Sequence, residues 1–281
     1  MSIAARSLER FPLVHTRSAD EICDAVSRVY SKLTLEFERR ANKGVVKFNY
    51  CRMADIGVGC TTYGIGLKLN FLDTDLVFQS FPLCGCGEAV IDHVVKPLRP
   101  GEGVTVSAGR SYEVTLAAGY RQFTLVMDPC ALAKKLAALT GATIDCPLRF
   151  DSAQHVRHPR ERSLRDHFFF LVDRLNAGTD TLPKFVLDEF EQTLMVIFLH
   201  AKRHNYSHLL EWNPPEAAHA QVRRTEDYIE ANAHRTITLD ELAEVSGVSA
   251  LSLFRSFRKY RGCSPMAFLS QVRARRRHPL S

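Results

Sequence analysis

Residues 238 to 262, TLDELAEVSGVSALSLFRSFRKYRG, leave the backbone few choices. Thr238 and Glu241 form a T-x-x-E capping box, which starts a helix. Leu239, Leu242 and Ala243 fall on one face at helical spacing, and the small Ala243 lets a second helix approach closely. Gly247 can take the left-handed conformation that ends a helix in a sharp turn. Val248 faces the core and Ser249 caps the next helix. In that helix Leu253 and Phe257 point inward, while Ala250, Leu251, Phe254, Arg255 and Arg258 lie toward the other face. Gly262 stops it. Ser264 and Pro265 open a third helix with a cap and a first-turn proline, and Phe268, Leu269 and Val272 form its apolar side.

Charge follows the same division. From Ser249 onward there are eight Arg or Lys and no Asp or Glu in 33 residues. The other 248 residues carry 29 basic against 31 acidic groups, so the net +6 is concentrated at the C-terminal end. Such a stripe is the footprint of a phosphate-binding face. Helix, small-residue turn and basic helix together make a helix-turn-helix, whose second helix enters a DNA major groove. Arg255 suits a bidentate guanine contact, and Leu251 or Ala250 a thymine methyl. Arg258, Lys259 and Arg261 suit phosphates, which position rather than specify. The predicted contacts with double-stranded DNA are therefore Ser249, Ala250, Leu251, Ser252, Phe254, Arg255, Arg258 and Lys259. Patterning alone also admits a helical hairpin with a solvated basic face.

The longer stretch TITLDELAEVSGVSALSLFRSFRKYRGCSPMAFLSQVR resembles the first helix-turn-helix of the AraC/XylS family of bacterial transcription regulators. The L-x-x-L-A-x-x-x-G-V-S, L-F-R-x-F-R and G-x-S-P-x-x-F/Y-L runs stand in register. The resemblance implies a second helix-turn-helix after a linker helix. Here that helix would begin at Ser264, and no second motif stands before Ser281, so the DNA-binding domain reads as truncated. Arg273, Arg275, Arg276 and Arg277 are then expected to form an exposed tail. The primary expectation is a sequence-specific regulator responding to a small effector. The alternative is a truncated one, acting as a dimerising interaction module or antagonist.

From about 45 to 127, short β-rich runs punctuated by Gly, Pro and Asp (GVVKFNYCRM, DLVFQSFPL, RQFTLVMD among them) predict a small barrel or sandwich. The stretch from FPL through PCALAKKLAALTG resembles the cupin-like sensory domain of the same family, which implies a small effector held by the barrel. Cupin enzymes bind metal through two close histidines, a glutamate and a later histidine. This segment has only His93, so neither a metal, a cofactor nor catalysis is expected. Glycines 57, 59, 64 and 66 do not fit G-x-G-x-x-G and read as strand and turn residues. Arg6 and Arg10 in RSLER have a spacing that resembles the arginine pair PilZ domains use on cyclic di-GMP. Two such pairs among 27 arginines are what chance supplies, and a cyclic dinucleotide is carried as a candidate effector on that spacing alone.

After Pro129 the periodicity turns helical. Leu132, Leu136 and Leu139 share a face before Gly141; Leu164, Phe168, Leu171, Val172 and Leu175 share another. Leu187, Phe190, Leu194, Ile197 and Phe198 do the same. Helices 164–175 and 185–201 are expected to form a homodimer, as the family resemblance implies, or else to cover their own barrel. His200, His204 and His208 can align on a helix as metal ligands but read better as solvated residues at a helix end. EWNPPEAA reads as an interdomain linker. The fold class is thus α+β: a cupin-like sensory and dimerisation domain over 1–210 (barrel about 45–127, helices about 130–210), a linker over 211–220, and an incomplete all-α helix-turn-helix domain over 221–281. Eight scattered cysteines, no apolar leader and no apolar run of ~18 residues make the cytoplasm the expected compartment, with no membrane partner.

Overall fold

Two antiparallel sheets form the larger unit. The computed structural model describes residues 7–37, 44–152, 158–177, 183–210 and 214–277. One sheet has six strands: β1 (Pro12–Thr16), β3 (Val46–Arg52), β4 (Ile56–Tyr63), β11 (Tyr120–Met127), β6 (Val77–Cys84) and β9 (Thr105–Val106), adjacent in that order. The other has five: β2 (Leu33–Phe37), β5 (Leu67–Phe71), β10 (Tyr112–Leu116), β7 (Gly87–Ile91) and β8 (Val94–Leu98). Between their inner faces lies a core that includes Phe48, Leu67, Leu69, Ala89, Leu116 and Tyr120. This is the β-sheet domain expected, in an α+β chain.

The burial patterns explain why some strands read so weakly. In β5 and β10 buried and more exposed residues alternate, as one solvated face requires. In β4, β6 and β11 almost every residue is buried, because helix α3 (Pro159–Ala177) covers the outer face of that sheet. Phe81 stacks on Phe168 with ring centroids 4.3 Å apart, and Phe123 meets Phe168 and Phe169 edge-on. Helix α4 (Lys184–Ala201) packs beside α3. At its C-terminal end Lys202 donates to both carboxylate oxygens of Glu161 at 2.8 Å, a salt bridge almost wholly buried. Glu191 accepts from the backbone N–H of Asp55 and Ile56, fixing the start of β4 to α4.

The N-terminal strands and helix α1 (Ala19–Ser27) extend the barrel beyond the expected limits. His93 is not a core residue. It sits exposed in the two-residue turn between β7 and β8, where Asp92 and His93 both have positive φ (51° and 64°). The reading of His200, His204 and His208 as solvated residues at a helix end fails for His204. Helix α4 ends at Ala201, and His204 is buried, its ring nitrogen Nε2 on the carbonyl of Leu199 and its ring against Phe150.

Helix α2 (Pro129–Thr140) follows β11, α5 (Ser207–Leu210) is a single turn, and α6 (Pro214–Asn232), α7 (Leu239–Ser246), α8 (Ala250–Arg261) and α9 (Pro265–Arg277) complete the chain. Two compact units result: one of Met1–Ala131 with Leu148–Asn205, the other of Leu132–Pro147 with Tyr206–Ser281. The division departs from the expected one, since residues 132–147 group with the C-terminal helices. Nor is 211–220 all linker. Residues 211–213 lie outside the described residues, and the double proline opens α6, where a missing N–H in the first turn removes no helical hydrogen bond.

Candidate nucleic-acid interface

The second unit is built around the turn between α7 and α8. Thr238 Oγ1 accepts from the Glu241 N–H at 3.2 Å and starts α7. Gly247 ends it in the left-handed region (φ 67°), and Val248 N–H returns to Ala243 O at 3.2 Å. Ser249 Oγ accepts from Ser252 N–H at 3.2 Å to start α8, and Gly262 (φ 71°) closes that helix. Beneath lies a core of Val222, Ile229, Leu242, Leu253, Phe257 and Leu269. Burying Leu253 and Phe257 completely fixes the rotation of α8, so its opposite face is outward. That face carries Leu251, Ser252, Phe254, Arg255, Arg258 and Lys259, all exposed, with Ser249 and Ala250 half-buried at its start. Arg258 lies over the Phe254 ring, 5.6 Å from its centroid. The structure thus gathers all eight predicted residues on one helix and its cap.

Other basic residues are committed elsewhere. Arg261, expected on a phosphate, forms a two-point pair with Glu226 of α6, with Nη2 2.7 Å from Oε2. The exposed-tail expectation fails for Arg273, which is half-buried, while Arg276 is exposed but also held by α6. Arg273 donates to Ala233 O at 2.9 Å and to Arg235 O, and Arg276 to Glu230 O, all around the C-terminal end of α6. Cationic side chains there complement the helix dipole. Arg275 is exposed, and the side chain of Arg277 lies outside the described residues.

Two supports of the turn were not foreseen. Lys135 of α2 is buried and donates to Gly247 O at 2.8 Å. A Cβ at Gly247 would stand 2.2 Å from Ala138 Cβ, so only glycine allows α2 this close. Around the start of α7, Glu241 takes hydrogen bonds from Arg235 and Tyr228, and Arg235 Nη2 lies 2.5 Å from the Tyr228 hydroxyl. The Arg235 contact first, then that of Tyr228, pulls the Glu241 carboxyl down to about 2.

The barrel encloses a second feature, a small, partly open cavity of about 20 Å³. Tyr30, Tyr63, Phe71, Phe78 and Tyr112 line it with aliphatic residues, and Thr61, Ser80 and Gln122 supply its polar atoms. Gly59 matters here: a Cβ would stand 2.4 Å from Thr124 Oγ1 and 2.6 Å from the Tyr30 hydroxyl, two atoms that are themselves 2.5 Å apart. Arg6 lies outside the described residues. Arg10 is exposed in a turn before β1 and does not line this cavity.

Residues 22–200 match the family described as the AraC-binding-like domain. A probable thc operon regulatory protein from Rhodococcus erythropolis is 30% identical over 154 residues, covering 53% of this chain and 45% of that protein. The match therefore spans less than half the length of that relative. Among solved structures, the AraC-like transcriptional activator CuxR is 15% identical with a TM-score of 0.45, covering 87% of this chain and 84% of that one. A cupin superfamily protein from Desulfitobacterium hafniense is 12% identical with a TM-score of 0.27, covering 32% and 82%. With its domain matched from residue 22 to residue 200, the chain belongs to the AraC-binding-like domain family of AraC-type regulators.

Proposed function

We propose that this chain is a transcription regulator that binds double-stranded DNA through α8 and responds to a small effector held in its barrel. The observation that carries the reading is the capped helix α8, with a buried apolar seam behind it and Leu251, Phe254, Arg255, Arg258 and Lys259 exposed in front. A helix so presented matches the depth and chemistry of a major groove. Arg255 reads a guanine; Arg258 and Lys259 meet phosphates; Leu251 meets a thymine methyl. Binding, not catalysis, is the proposed task, and the cytoplasm the proposed compartment. Among the described residues no helix is long and apolar enough to cross a membrane.

The test is selection of sheared genomic DNA by the purified chain at two salt concentrations. Recovery of a discrete sequence motif at the higher salt supports the reading. Diffuse recovery that vanishes with salt rejects sequence-specific binding, and an interaction role in mixed dimers then replaces it.

A further inference from the structure

The barrel cavity has no charged side chain in its lining. Its walls are five aromatic rings and aliphatic residues, and several of its polar groups already have partners. Ser80 Oγ accepts from Val104 N–H at 2.8 Å, and Gln122 Oε1 accepts from the Tyr120 hydroxyl at 3.0 Å. Burial pushes the Tyr30, Tyr63 and Tyr112 hydroxyls above their ordinary range, so these groups stay neutral. An anion entering such a space would lose its hydration with no cation to replace it. Flat apolar rings meet the opposite situation, because Phe71 and Tyr112 are stacked at 4.5 Å and Tyr30 meets Phe78 edge-on at 5.6 Å. From this lining we infer that the barrel binds an uncharged, largely apolar molecule of one or two rings carrying at most one or two hydrogen-bonding groups.

The inference rests on the effector reading above and names the effector's chemical class. Space is limited: the rings crowd the cavity so that little more than a water-sized body fits without side-chain movement. A ligand must therefore part the Phe71–Tyr112 stack. Both rings stand on adjacent strands, β5 and β10, at positions that face each other across the ladder. Binding thus separates a cross-strand pair.

The test uses the full chain and a neutral two-ring fluorescent probe, 1-naphthylamine, displaced in turn by 2-naphthalenemethanol and by 2-naphthoate. These competitors share a ring system and differ in charge. Saturable probe binding is expected, with the alcohol competing at least about tenfold better than the carboxylate. Val114→Phe, which fills the cavity, weakens probe binding, whereas Leu69→Ala, which enlarges it, preserves or strengthens it. Circular dichroism of each variant separates a filled cavity from a failed fold. Equal or better competition by the carboxylate overturns the inference. So does the absence of saturable binding, or binding indifferent to both substitutions in folded variants. DNA affinity is measured with the probe at saturation. No change in it removes the effector reading and leaves the ligand class standing, whereas the charge comparison decides the ligand class alone.

Discussion

Arg255 and Arg261 stand six residues apart on one basic helix, yet the structure gives them different work. Arg261 is held by Glu226, whereas Arg255 meets no acidic partner among the described residues and faces outward. Replacing Arg255 by Ala should weaken binding to a selected site by about 1–3 kcal/mol and relax the preference at one base position. Lys259→Ala should instead weaken all sequences evenly and lower the salt slope by about 1. Competition binding against single-base variants of the site separates the two patterns. Glu241 gives a pH signature at the same scale. Its folded value, about 2, lies below the ordinary ~4.3, so its contribution is fully present above ~4.3 and is lost as pH falls toward 2. Glu241→Gln should therefore lower Tm at pH 7, and the two melting curves should converge as pH approaches 2. A constant Tm difference across that range would show that the Arg235 and Tyr228 contacts do not act through the carboxylate charge.

At the level of elements, legibility followed how local the signal was. Helices α7 and α8 could be read nearly to the residue because Thr238, Gly247, Ser249 and Gly262 act on their own backbone. Strands β1 and β2 and helix α1 escaped, since β1 and β2 are partly exposed strands whose pairing is settled by distant partners. His204, Lys135 and Arg273 escaped for the same reason: each polar atom is satisfied by a backbone carbonyl that no spacing rule brings near. The cavity is also non-local, assembled from strands of both sheets. Two predictions belong here. Phe168, fully buried against Phe81 and Phe123, fastens α3 to the sheet, so Phe168→Ala should cost about 3–5 kcal/mol in urea unfolding. Lys135→Met removes the donor on Gly247 O while keeping most of the side chain's bulk. Hydrogen exchange should quicken around residues 247–250, with α3 unaffected.

For the molecule as a whole, the proposed DNA binding depends on how many copies act together. Helices α3 and α4 each expose a large aromatic side chain, Phe170 at 47% and Phe185 at 68%. Phe190 lies 5.3 Å from Phe170, joining the two helices at that point. We propose that a second copy of this chain covers these exposed aromatic side chains. With Arg261, Arg273 and Arg276 engaged within the protein, about three cations per copy remain for phosphates, which predicts a salt slope of about −3 for one copy and about −5 for two. Phe185→Glu should then convert a dimer to a monomer in sedimentation velocity and flatten the slope toward the single-copy value. Helix α8 is untouched by this change, so loss of slope reports assembly rather than damage to the reading helix. A slope of about −3 before and after the substitution, with no change in sedimentation, would mean that α3 and α4 only cover their own barrel and that each copy reads DNA alone.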